Sequence, residues 1–557
     1  MKKLVFILGV LVLTACTPSS KEPANPKAAF DPHAMQGMPC HQMGDVYMGD
    51  CQFDESGNLI ENSPTLSNPL IPSTQTFSTQ TDGLPEAKPS EMVELKDGDT
   101  YQMTAMMAQQ KVGKRVIKRL AYNQQIPGPL LKVPQNATIS IVFKNELEVD
   151  TTIHSHGLRL KNEFDGVPDV TQPPIKPGET FTYQLTFPDA GVYWYHPHIR
   201  EDYTQELGLY GNFYVAPDRA NYWNPVDQET FLVLDDFLLT ESEPAFLKNE
   251  TTQALMGRFG NIMLINNEEN YEWSVPKNAV VRFYLTNVAN TRPFNIQIPG
   301  ARLKLVGGDT GRIEQEAWVD SVVLAPAERV VLEAVFENEG DYFIQNAVPN
   351  RTDTMGVIHV AGSATSSARE AFDTLRKNSE DYTLIRQNQA ALLDQTPDES
   401  ITLSIDMPGM GMMSGGHGMG MMHGAAEIEW DDTMPMMNQM ATSQNTFWKI
   451  IDNKTGAENM DIDWKFKRGD LVKIRVYNDP NSVHPMQHPI HFHGQRFVVL
   501  SRNDVPNDRL QWKDTTLIKT GETVDLIVEM SNPGMWMAHC HIAEHLHSGM
   551  MLGFTVN

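Results

Sequence analysis

Cysteine is scarce in this chain: four residues in 557, too few for a disulfide framework across a protein of this size. Basic residues are in deficit too, with 44 Lys and Arg against 70 Asp and Glu, giving a formal charge of −26 that is spread along the sequence. That balance disfavours nucleic acid as a partner and suits cations. The apolar run from Leu4 to Leu13 falls short of a bilayer span. At 557 residues the chain exceeds what one core can organise and predicts three to four domains of roughly 150 residues each.

What is present begins with an export signal. Lys2 and Lys3 precede the apolar run, and Leu13-Thr14-Ala15-Cys16 resembles the bacterial lipobox, whose cysteine is acylated and becomes the mature N-terminus. Residues 1–16 are therefore expected to be a lipoprotein signal peptide. The protein is expected in the bacterial cell envelope, on the periplasmic face of the inner or outer membrane, held by an acyl anchor at Cys16. Residues 17–88 are rich in Pro, Ser, Thr and Asn and read as a tether with no core of its own. Within it Cys40 and Cys51 are expected to form a local disulfide, with copper binding alongside His33, Met35, Met38, His41, Met43 and Met48 as the alternative.

From about Met92 the pattern turns to short alternating runs, such as Ala137 to Phe143 and Phe181 to Phe187, punctuated by Pro, Gly and Asn. This predicts an all-β protein of three Greek-key β-sandwiches in series: 89–218, 219–363 and 399–557. A polar, helical connector is expected at 364–398, and a Met-rich insert at 407–440.

Of 17 histidines, ten fall in four clusters: His154-Ser155-His156-Gly157, His196-Pro197-His198, His488-Pro489-Ile490-His491-Phe492-His493-Gly494, and His539-Cys540-His541 followed by His545. On a strand, residues i and i+2 share a face, so each His-x-His pair presents two imidazoles side by side. Grouped neutral imidazoles are metal ligands. In His539-Cys540-His541 the same alternation turns Cys540 away from its neighbours, so one tripeptide serves two sites. On one side Cys540 joins His545, Met550 and His488, which lies an odd three residues before His491 and points the other way. Two imidazoles, a thiolate and a distant thioether are the ligands of a blue copper electron-transfer centre. Eight histidines without a thiolate remain for the other side. Met551, next to Met550, is read as packing, and His484 and His547 as surface residues.

HSHG, WYHPH, HPIHFHG and HCHIAEHLHSGM, in that order, resemble the four copper motifs of the multicopper oxidases, the family of laccase, ascorbate oxidase and the bacterial copper-efflux oxidases. The resemblance covers about residues 90–557 and implies cupredoxin-like sandwiches holding four copper ions. It implies type 1 copper on His488, Cys540, His545 and Met550, and type 2 copper on His154 and His491. It implies a type 3 pair on His156, His196, His198, His493, His539 and His541. The implied reaction takes single electrons at the type 1 centre and reduces O2 to water at the trinuclear group between the first and third sandwiches. Proton supply needs carboxylates: Asp165 is the expected donor, and Glu544 the second candidate. Many relatives carry a carboxylate directly after the second type 1 histidine, where this chain has Leu546. A two-domain copper nitrite reductase lacks the full set of paired-histidine motifs.

Met407, Met410, Met412, Met413, Met419, Met421 and Met422 concentrate thioethers in a glycine-rich stretch, and soft thioethers select Cu(I). Recruitment of Cu(I) as substrate, in copper tolerance, is the expectation; a disordered linker is the alternative. Laccase-like oxidation of phenols or other small organic donors competes with it, as does a copper-sequestering lipoprotein without enzymatic activity. A monomer is expected from the family's habit.

Overall fold

A computed structural model describes residues 41–43, 46–48, 77–240, 250–408 and 428–557. Their strands form three pairs of facing sheets, preceded by a hairpin of His41–Met43 with Val46–Met48. In the first sandwich, strand Thr138–Asn145 alternates as its sequence predicts, burying Ile139, Ile141 and Phe143. It pairs antiparallel with Thr180–Thr186, where Tyr183 and Leu185 enter the same core. The facing sheet carries His154–His156 on its edge beside Gly191–His196. The middle sandwich sets a six-stranded against a five-stranded sheet, and the third a seven-stranded against a five-stranded sheet that includes His488–Phe492 and Gly534–Cys540.

Some strands lose their alternation. Val280–Asn287 and Arg329–Val335 are buried along their whole length. One face fills the middle core, while Tyr284 and Val331 on the other pack with Val192, Tyr214 and Trp223. A strand covered on both faces has no solvent side to mark with polar residues. The third core likewise takes in Ala254, Leu255, Met256 and Phe259 from the segment that precedes strand Ile262–Ile265.

Two expectations change. The tether does not run to residue 88: Phe77, 2% exposed, lies in the first core and stacks on Tyr203 at 3.8 Å. Met407, 8% exposed, is a core residue of the third sandwich rather than part of an accessible methionine array, because it follows directly on strand Glu399–Asp406. The stretch 364–398 is helical as expected, with Arg369–Phe372 and Thr383–Asp394, and it docks through Phe372, Tyr382, Ile385 and Leu392. Cys16, Cys40, Cys51, Met410, Met412, Met413, Met419, Met421 and Met422 lie outside the described side chains.

Candidate metal centre

Strand register assembles the site. His196 lies opposite His154 in the first sandwich, and His491 opposite His539 in the third. Directly opposed residues share a sheet face, so each pairing doubles the imidazoles on it. Cys540 falls one residue along, opposite Ile490, on the face that His488 also occupies. Pro197 carries His198 beyond the end of strand Gly191–His196, and His541 follows the end of Gly534–Cys540. The eight histidines meet between the two sandwiches, all buried.

Six of the eight rings are held from behind through Nδ1. His154 Nδ1 lies 2.7 Å from the Asp165 carbonyl, His196 Nδ1 2.7 Å from that of Pro197, and His491 Nδ1 2.9 Å from that of Asp514. His493 Nδ1 lies 2.9 Å from Asp165 Oδ2, and His539 Nδ1 2.8 Å from the Cys540 carbonyl. His198 Nδ1 lies 3.1 Å from Glu201 Oε1. The inward nitrogens have no protein partner: His154, His196, His198, His491 and His541 through Nε2, and His156 through Nδ1. His493 and His539 oppose their Nε2 atoms at 2.9 Å. Buried lone pairs aimed at one another in this number fit metal ions and little else. Burial, reinforced by the neighbouring imidazoles, keeps His156, His196, His491 and His539 well below the usual histidine range and brings His493 to about 3, so the rings are neutral donors.

The second site is a triangle. Cys540 Sγ lies 3.6 Å from His488 Nδ1 and 3.7 Å from His545 Nδ1, which are 3.3 Å apart. Its centre is about 2 Å from every corner, a metal–ligand bond length. Burial raises the Cys540 thiol, so a cation must displace its proton. The Trp448 ring covers His545 at 4.0 Å, and the Met550 side chain is fully buried.

The two expected proton donors separate. Asp165 contacts His493 and His154; burial opposes its charge, but these imidazoles outweigh burial and hold it well below the carboxylate range. Glu544 turns from the histidines to Arg258, 3.2 Å away, and burial raises it to about 7. Leu546 and Met551 pack together in a small apolar cluster. His547 is not a surface residue: at 12% exposure its Nε2 lies 2.6 Å from Glu201 Oε2, because helix Glu201–Thr204 packs across helix Ala543–His547. His484 is half-buried, edge-on to Trp448 at 6.3 Å. Sequence reasoning missed Glu201, Asp514 and Arg329. Only Glu201 carried a signal, three residues after His198.

Models of the multicopper oxidase family match residues 102–220, 228–363 and 429–557. The chain is 23% identical over 470 residues to the multicopper oxidase mco of Staphylococcus epidermidis, covering 82% of this chain and 89% of that one. It is 25% identical over 515 residues to laccase-2 of Cryptococcus neoformans, covering 81% and 83%. Its fold is that of a multicopper oxidase from Campylobacter jejuni described as a metallo-oxidase (TM-score 0.63, 22% identity, 87% and 99% covered). It is also that of McoA from Aquifex aeolicus (TM-score 0.64, 22% identity, 85% and 100% covered). The chain belongs to the multicopper oxidase family. It is an oxidoreductase of three cupredoxin-like sandwiches that uses four copper ions to pass electrons from a reductant to O2.

Proposed function

We propose that the protein oxidises Cu(I), and small organic reductants beside it, as a copper-tolerance enzyme of the bacterial envelope. In this reading His488, Cys540, His545 and Met550 hold the type 1 copper, and His154 and His491 the type 2 copper. His156, His196, His198, His493, His539 and His541 hold the type 3 pair. The bound coppers supply one-electron redox steps and the binding of O2. The protein supplies the rest. Cys540 is joined through its own backbone to His539 and His541, which gives electrons a covalent path between sites. Trp448 and the third core keep water from the thiolate. Asp165 holds the rings of His154 and His493 and, ionised there, is the carboxylate we expect to accept protons and pass them to the cluster. Glu544 is paired with Arg258.

The observation that carries the Cu(I) reading is a pair of exposed thioethers on a helix that is hydrogen-bonded to the segment holding Trp448 against His545. Met436 and Met440, 79% and 59% exposed, stand one turn apart on helix Pro435–Met440. Asn438 of that helix accepts from the Met256 amide and donates to the Gly257 carbonyl. Ala254 of the same segment accepts from Trp448 Nε1, and Trp448 lies on His545. Oxidation of phenols is the second reading, supported by similarity to proteins named laccase.

Oxygen uptake by copper-loaded protein separates them. Replacing Met436 and Met440 by Ser, with residues 409–427 deleted, is expected to lower Cu(I) turnover at least about tenfold and to spare or raise phenol turnover. Equal rates on both substrates before and after would leave the phenol reading standing. Envelope anchoring has its own check: Cys16→Ser is expected to move the protein from the membrane fraction to the soluble one.

A further inference from the structure

The middle sandwich contributes none of the clustered histidines, yet one of its side chains reaches the rim of the cluster. Arg329, at the start of strand Arg329–Val335, is fully buried. Its Nε donates to the Val192 carbonyl of the first sandwich at 3.2 Å. Nη1 donates to the Ala327 carbonyl and to Asp514 Oδ1, at 2.9 and 2.8 Å. Nη2 donates to the Asp309 carbonyl at 3.1 Å and to Asp514 Oδ2. Asp514 belongs to the third sandwich. Its Oδ1 lies 2.9 Å from His156 Nε2, and its carbonyl 2.9 Å from His491 Nδ1. One carboxylate thus joins all three sandwiches.

His156 is also the odd ring of the cluster. The other unpartnered inward nitrogens are Nε2 atoms, whereas His156 turns Nδ1 inward. A neutral imidazole carries one N–H and one lone pair, so an acceptor behind Nε2 commits Nδ1 to the metal side. The Thr515 hydroxyl, 3.0 Å from His156 Nε2, donates to Asp514 Oδ1 at 3.0 Å, so it accepts from His156 along with the carboxylate. A carboxylate with no solvent access keeps its charge only if paired, and the Arg329 fork does that with two parallel N–H bonds. Gly157 records how tightly the pair is set. A Cβ there would come 2.3 Å from Asp514 Oδ2 and 2.8 Å from Arg329 Nη2, so the last residue of the HSHG motif must be glycine.

We propose that Arg329 is a positioning residue through which the middle sandwich, by way of Asp514, fixes the nitrogen that His156 turns toward the copper cluster. The sandwich without copper ligands is thereby part of the O2 site. The inference rests on the ligand assignment proposed above, in which His156 binds copper.

Copper per chain, the blue absorption of the thiolate centre, paramagnetic resonance of the non-blue copper and the rate of copper release to a chelator test it together in wild type, Asp514→Asn, Arg329→Lys and Arg329→Met. Asp514→Asn is expected to hold cluster copper about 10–100-fold more weakly than wild type, with blue absorption per chain unchanged. Arg329→Met should do the same or fail to fold. Arg329→Lys should fold and fall between, since one ammonium cannot reproduce a two-pronged fork. Unchanged copper retention in Asp514→Asn and Arg329→Lys would overturn the proposal. So would loss of blue absorption in step with cluster copper, which marks general damage to the fold. A wild-type protein that never binds four coppers would instead remove the ligand assignment beneath it.

Discussion

At the residue scale, Cys540 separates the two metal sites most cleanly. It alone supplies sulfur to the triangle with His488 and His545, and none of the eight clustered imidazoles depends on its side chain. Cys540→Ser is expected to abolish the blue absorption and the oxidase activity while about three coppers per chain remain, by analogy with metals held on imidazole alone. Metal analysis with visible spectroscopy checks both. His547 gives a pH test. Burial works against its charge, but Glu201 and Asp202 outweigh burial and raise it above the usual range. Glu201 is held down to about 2, burial being overcome by His198 and His547. A raised histidine stabilises the fold fully below its unfolded value of about 6.5 and loses that contribution as pH rises through its folded value. In copper-free protein, His547→Gln is therefore expected to melt below wild type by a margin that is widest near pH 5.5 and narrows toward pH 9. A margin that widens with pH would refute the pairing. Nothing in the local sequence marked His547 as buried, since what covers it is a helix from residues 201–204.

At the scale of elements, strand alternation did most of what was legible. It put His491 and His493 on one face and His488 on the other, and it split Cys540 from His539 and His541, as the register shows. Alternation carried no information for Val280–Asn287 or Gly191–His196, which are buried on both sides. Turns were legible only as punctuation. Gly166 has φ +84°, and a Cβ there would lie 2.0 Å from the Ile153 carbonyl oxygen, on backbone that cannot step aside. This turn carries Asp165 to His154 and His493. Gly166→Ala is expected to cost more than about 2 kcal/mol of stability, measured by denaturant unfolding, and to weaken cluster copper before the blue centre.

For the whole molecule, the decisive feature is that the eight-histidine cluster belongs to no single sandwich. His154, His156, His196 and His198 come from the first, and His491, His493, His539 and His541 from the third. Copper bound there stabilises only the docked arrangement, by mass action on the folded state. Calorimetry is expected to show copper-loaded protein unfolding at higher temperature, with the first and third sandwiches melting together. Copper-free protein should melt lower and in separable steps. Two transitions that stay apart after loading would mean the sandwiches do not share the metal.

The sequence by itself determined the class of fold and the two groupings of histidine and cysteine side chains, because a period of two and a His-Cys-His tripeptide express their geometry within a few residues. Tertiary structure alone decided what surrounds them. The Asp514–Arg329 pair, the Glu201–His547 contact, the turn of Glu544 toward Arg258 and the burial of Met407 all join residues far apart in the chain. No local pattern encodes such meetings. They follow from which faces of three sandwiches pack together, and that packing is set by apolar burial summed over whole sheets.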